Sequence, residues 1–219
     1  MTKKIPLSIR DFAVPSPRTG SIDAYSGYRS SPLEGIEIHQ AIQQKRALDH
    51  ETYRAEVSCS RTFEHRGYTF QVEGRMDGIF EDQPVKIEEI KSTFNIRELK
   101  KALESAGHRH PYALQLLTYG YFHWLNHESL PKLSFHLVST RNRETIDYSI
   151  TLDISDYETW LAKRLEELAD QADRAFKRTA KRQKISHSFP FPFSKPRTGQ
   201  VELIQAIEDG MKENRPLML

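Results

Sequence analysis

Cysteine is nearly absent from this 219-residue chain, which carries only Cys59. A single thiol excludes a disulfide framework, a Cys-ligated zinc site and an iron–sulfur cluster built from this chain alone. Long apolar runs are also missing, so no stretch suits a membrane span. The first residues, MTKKIPLSIRDF, have two lysines but neither a seven-residue apolar core nor a small-residue cleavage site. That argues against a secretory signal and for the reducing cytoplasm. Neither sign of charge is in large excess, because 32 Lys+Arg stand against 30 Asp+Glu for a net +2. Affinity for nucleic acid must therefore come from where the cations sit. What is present is globular: 28% charged residues with 10% aromatics, enough to offset the entropy of ordering.

Pro, Gly and Ser crowd residues 1–32, which read as an irregular N-terminal arm with one short ordered piece. Leu33, Ile36, Ile38, Ile42 and Ala47 give a helical pattern over 33–47. Alternating segments at 54–63 and 68–76, joined by GluHisArgGly, predict a hairpin. AspGly at 77–78 breaks that pattern, a turn follows at 81–84, and ValLysIleGluGluIleLys (85–91) is a further strand. A short helix over 95–106 closes at Gly107, and Pro111 opens a strong helix to about Asn126. Strands at 134–140 and 145–152 follow. SerAspTyrGlu (155–158) fits a capping box at the head of a long helix. Beyond it lie a Pro-punctuated linker and a last helix from Gln200 to about Lys212. The expected organisation is the arm (1–32), an α/β domain (33–186), and a Pro-rich linker with a leading helix (187–219).

Residues two apart on a strand share a face, so Glu89 and Lys91 point together with Ile87. A carboxylate beside an ammonium on a central strand is costly unless the pair has a task. Asp77, at the end of the preceding strand, can converge with Glu89. Two carboxylates and a backbone carbonyl make a hard-oxygen site suited to Mg²⁺ or Mn²⁺. Lys91 beside it can stabilise the charge that develops in phosphodiester hydrolysis. Each piece also has a plainer reading. Asp77-Gly78 is a common turn, a surface Glu–Lys pair explains the same letters, and His39 alone is an ordinary surface or core histidine. Gln115 and Tyr119 share a helix face with Tyr112 and Phe122, which core packing would also explain.

Taken in order, GlyIleGluIleHis (35–39), GlyArgMetAspGlyIle (74–79), GluGluIleLysSer (88–92) and GlnLeuLeuThrTyr (115–119) resemble the RecB-type branch of the PD-(D/E)xK nucleases. The resemblance covers about two-fifths of the chain. It implies a restriction-endonuclease-like fold, a central mixed sheet flanked by helices. It also implies that His39, Asp77, Glu89 and the Ile90 carbonyl hold one or two Mg²⁺ or Mn²⁺ ions and that Lys91 is catalytic. Gln115 and Tyr119 would orient the site or meet the DNA backbone. Many relatives carry cysteines for an iron–sulfur cluster, which this segment cannot supply.

The segment from PheProPheProPhe to ArgProLeuMetLeu resembles the lead-in to the motor of DinG/XPD-like superfamily 2 helicases, with Arg197 to Gln200 as its Arg-x-x-Gln stretch. SerIleArgAspPheAlaVal and GlySerIleAspAlaTyr resemble the leader of DinG-like helicases bearing a nuclease domain. The chain contains no Gly-x-x-x-x-Gly-Lys-Ser/Thr phosphate loop and ends where one would be expected. The expectation is the nuclease domain of a helicase–nuclease, acting on single-stranded or branched DNA in repair. A stand-alone nuclease, or a silent DNA-binding module that loads a helicase, are the alternatives. Lys177, Arg178, Lys181 and Arg182 form a candidate phosphate stripe, or equally a solvated helix end. Arg109, just before the Gln115 helix, could meet a phosphate or simply precede a cap.

Overall fold

The computed structural model describes residues 3–14, 32–188, 195 and 197–213. Much of the predicted arm, most of the Pro-punctuated linker and the closing ArgProLeuMetLeu lie outside the described residues. The chain divides into two compact units, residues 1–172 and 173–219.

Strands β2 (Tyr53–His65) and β3 (Tyr68–Phe80) pair antiparallel over their whole lengths. Arg66 and Gly67 turn the hairpin, both at positive φ, as a two-residue loop matched to strand twist requires. The expected break at Asp77-Gly78 does not occur, and β3 runs on to Phe80. Gly78 serves close approach: a Cβ there would lie 2.5 Å from the Tyr53 ring. Only after Phe80 does the chain reverse into β4 (Lys86–Thr93).

The β3–β4 ladder is short, comprising Gly78↔Glu88, Ile79↔Ile87 and Phe80↔Lys86. Further along, β1 (Lys3–Ser8) pairs parallel with Tyr68 to Glu73. Because β2 occupies one edge of β3 throughout, β1 and β4 share the other, and Gly74 to Asp77 face a window between them. Parallel β5 (Lys132–Ser139) and antiparallel β6 (Thr145–Ile150) complete a six-stranded mixed sheet of order β1-β3-β4-β5-β6.

Alternation along β4 and β5 assigns the two faces. Ile87, Leu133, Phe135 and Leu137 join the main core with α1 (Ile9–Ala13), α3 (Ile96–Ala106), α4 (Pro111–His127) and the first part of α5 (Ile154–Ser188). Ile90 and Val138 look the other way and take Ile38 and Ile42 of α2 (Pro32–Asp49). The α/β architecture of a central mixed sheet flanked by helices is the one expected.

Two local expectations change. The first residues of the arm are β1 and α1, with Ile9, Phe12 and Ala13 buried. The buried Arg164 guanidinium of α5 donates to the carbonyls of Phe12 and Asp11. The one short ordered piece expected in the arm is thus a strand followed directly by a short helix. Helix α5 also starts earlier than the capping box implied, because Asp153 Oδ1 accepts the Asp156 N–H. In the second unit, α6 (Gln200–Lys212) begins with Gln200 Oε1 accepting the Arg197 N–H.

Candidate active site

Where β3 and β4 part, backbone groups lose their ladder partners, and side chains take over. Asp77 Oδ2 accepts the Ile90 N–H at 2.8 Å across the window. On the α4 side, the Tyr119 hydroxyl donates to the Arg75 carbonyl at 2.8 Å. From α2, Gln43 Nε2 donates both to the Asp77 carbonyl (2.9 Å) and to Glu56 Oε1 (2.8 Å), and the Tyr53 hydroxyl also reaches that carbonyl at 3.3 Å. Glu56 stands opposite Asp77, at φ 57°, and the β2–β3 register skips this one pair. A non-glycine residue held there in the left-handed region is local strain beside the site.

Glu89 and Lys91 do share a face. Lys91 Nζ lies 2.6 Å from Glu89 Oε1, and Gln115 Nε2 donates to the same oxygen at 2.8 Å. Gln115 also meets the Tyr119 hydroxyl at 3.3 Å, so the predicted Gln–Tyr pair is a brace from α4 onto β4 and β3. Phe122, expected on the same face, joins Tyr119 in the main core. Glu89 is 2% exposed, and among the described residues its Oε2 has no hydrogen-bond partner.

Burial pushes the Glu89 carboxyl up to about 7, with Lys91 opposing the shift and Asp77 adding to it. Asp77 is raised as well, again mainly by burial, against the pull of Lys91, His39 and the Ile90 N–H. Burial by itself would lower the Lys91 ammonium, but Glu89 outweighs it through charge and hydrogen bond, with Asp77 adding to it, and Lys91 stays protonated above its ordinary value. His39 Nδ1 lies 3.8 Å from Asp77 Oδ2, and burial lowers its pKa, which keeps a neutral, ligand-competent imidazole. Gly35, one turn earlier, lies close to β4: a Cβ there would stand 3.3 Å from Ser92 Oγ.

His39, Asp77, Glu89, Lys91, Gln115 and Tyr119 thus gather around one window. Reasoning from sequence missed Gln43, Tyr53 and Glu56. Gln43 was detectable in principle, since His39, Gln43 and Arg46 recur at i, i+4, i+7 on α2. Arg46 reaches a second buried carboxylate, Glu88, which also pairs with Lys86 on the α2 side of β4.

Among the described residues, one His/carboxylate trio brings ligand atoms within 4.8 Å of one another: Glu88, His136 and Asp147. Arg46 touches both Glu88 and His136, and Lys86 touches Glu88, so cations already balance that trio. His39, Asp77 and Glu89 are spaced more widely, with Lys91 drawn onto Glu89. Even so, the Asp77 and Glu89 carboxylates, the latter with its orphaned Oε2, are the oxygen donors that suit a hard divalent cation, and the neutral His39 imidazole adds a borderline nitrogen donor.

Arg109 lies elsewhere. It is exposed and, with His108, lines a cavity of about 330 Å³ shared with Leu114, Leu117 and Trp160. Lys177, Arg178, Lys181 and Arg182 are exposed on the part of α5 that belongs to the second unit. Cys59 is half-buried on β2, its thiol pushed up to about 12 by burial, which disfavours the thiolate.

No protein-family model matches the chain, and no curated protein matches it. Among solved structures it is similar to SSO0001, at 16% identity and a TM-score of 0.53, over 75% of this chain and 74% of that one. It is also similar to a phage-related exonuclease from Haemophilus somnus 129PT, at 12% identity and a TM-score of 0.45, over 72% of this chain and 78% of that one. The likeness to SSO0001, spanning three quarters of both chains, is one of fold.

Proposed function

We propose that this chain is a metal-dependent DNA nuclease domain that hydrolyses phosphodiester bonds. The observation that carries the reading is the buried Glu89 carboxylate: one oxygen is held by Lys91 and Gln115, while the other has no hydrogen-bond partner among the described residues. Leaving a carboxylate oxygen desolvated and unpaired is expensive unless a cation meets it. His39, Asp77, Glu89 and the Ile90 carbonyl would hold Mg²⁺ or Mn²⁺. When bound, such an ion supplies Lewis-acid polarisation of a phosphate and a more acidic bound water.

The protein's own groups do the rest. Lys91 presents a positive charge where negative charge builds on the scissile phosphate. Gln115 fixes Glu89 against α4, Tyr119 clamps the β3 backbone, and the Asp77–Ile90 bond sets the width of the window. In this reading the substrate is single-stranded or branched DNA, the setting is DNA repair in the cytoplasm, and the C-terminal segment leads into a helicase motor. The substrate, the repair setting and the helicase motor rest on the resemblance read in the sequence, and the cytoplasm on an N-terminal segment unsuited to secretion and the single cysteine.

The test is cleavage of end-labelled single-stranded and forked DNA with Mg²⁺, Mn²⁺ or EDTA. Metal-dependent products are expected, and Lys91→Ala should lower the rate by about 10²–10³-fold, as loss of a charge-stabilising group does. Cleavage that persists in EDTA overturns the metal reading. DNA binding without any cleavage would identify a silent loading module instead.

A further inference from the structure

The Lys91 ammonium has a third neighbour that the sequence motifs do not include. Its Nζ lies 4.7 Å from the centroid of the Tyr112 ring, within the range of a cation–π contact. Its other partners are Glu89 Oε1 at 2.6 Å and Gln115 Oε1 at 3.4 Å. We propose that Tyr112 is a positioning residue of this site, its ring face holding the Lys91 ammonium toward the window. The proposal rests on the nuclease reading above and adds to it the group that aims the lysine.

Three observations carry it. First, the ring is held from behind. His110 caps α4 by accepting the Tyr112 N–H on Nδ1 at 3.1 Å, Pro111 follows as the first helical residue, and the His110 and Tyr112 rings sit 5.1 Å apart. The start of the helix thus fixes where the ring stands. Second, Tyr112, Gln115 and Tyr119 form one stripe of α4, and the other two members already brace Glu89 and the β3 backbone. Third, Tyr112 is 36% exposed, so core packing does not account for it.

The chemistry favours a ring over a further carboxylate. A carboxylate next to Lys91 would compete for the cation that Glu89 and Asp77 are suited to bind. It would also tie up an N–H that a phosphate oxygen could take. A π-face attracts the charge and leaves the ammonium protons free to donate. A cation taken up by Glu89 weakens the Lys91–Glu89 attraction, and the ring and Gln115 then hold the lysine.

Two measurements test this, one of them independent of activity. In protein labelled with ¹³C,¹⁵N-lysine, an ε-CH₂ signal shifted upfield by the ring current should be present, and it should vanish in Lys91→Arg, which assigns it. The signal should persist in Tyr112→Phe and return to the ordinary lysine position in Tyr112→Leu. Single-turnover cleavage at saturating DNA should fall about tenfold in Tyr112→Leu, with Tyr112→Phe recovering most of the loss and DNA affinity held in both. Absence of the shifted signal in the unaltered protein overturns the proposal whether or not the protein cleaves DNA. So does a Phe variant as impaired as the Leu variant, or a loss of DNA affinity at an unchanged single-turnover rate, which would assign the ring to substrate stacking. An unaltered protein that shows the shifted lysine signal but cleaves nothing would count against the nuclease reading alone.

Discussion

Glu89 concentrates the electrostatics of the site: it is buried, burial pushes its carboxyl up to about 7 against an ordinary 4.5, and among the described residues one oxygen has no partner. A carboxyl whose folded value is raised stabilises the fold fully below its unfolded value, and that contribution is lost as pH rises through the folded value. The melting temperature of the cation-free chain should therefore fall between about pH 5 and pH 8, and Glu89→Gln should flatten that slope. Because a metal ligand must be deprotonated, the rise in melting temperature on adding Mn²⁺ should be larger at about pH 8 than at about pH 5.5. Thermal scans across pH, with and without the ion, check both outcomes. An equal Mn²⁺ effect at both pH values would move the ion away from Glu89. Gln43 is the second residue whose removal should be felt. It is 7% exposed, and Gln43→Leu strips a partner from Glu56 and from the Asp77 carbonyl. Such a loss costs about 1–3 kcal/mol, to be read from urea unfolding, and should also slow cleavage because Asp77 is no longer fixed from the α2 side.

At the level of elements, α1 is small but bears on the whole sheet. Phe12 is fully buried, stacks with Phe63 of β2 and meets the edge of Trp160 in α5. Phe12→Ala should cost about 3–5 kcal/mol, measured by the shift of a denaturation midpoint. A cost below about 1 kcal/mol would show that α1 is peripheral. This element also marks the limit of what the sequence displayed. The β2–β3 hairpin, α3, α4 and α6 were readable because turn residues, caps and alternation all act locally. Strand β1 was not, because it pairs with Tyr68 to Glu73, a non-local partnership that no local pattern encodes. The local reading at Asp77 differs from the structure. Its AspGly dipeptide resembles a turn, but Gly78 makes room for Tyr53 within a continuing strand. In the site itself, strand and helix periods put Glu89 with Lys91 and Gln115 with Tyr119, whereas their membership of one site came from the family resemblance. Glu56 was not legible, because a left-handed residue inside a strand has no sequence signature when it is not glycine.

Across the whole molecule, a net charge of +2 makes any pull on DNA a matter of local placement. Lys177, Arg178, Lys181 and Arg182 are exposed, so alanine substitution can test them together. If they track a single strand, the slope of log affinity against log salt should shrink by about 0.7 for each phosphate the variant no longer neutralises. Cleavage at saturating DNA should change little, and an unchanged slope would leave the stripe as helix-end charge. The edge that β1 and β4 share has one more consequence, for the order of events during synthesis. The β2–β3 hairpin can close as soon as it leaves the ribosome, whereas β1, made first, must wait for Tyr68 to Glu73 before it has a partner. Until then the nascent chain carries an unpaired N-terminal strand, and the long loop to be closed makes this docking a natural slow step. The β1 side of the window beside Asp77 would therefore close late, when β1 finally seats against β3.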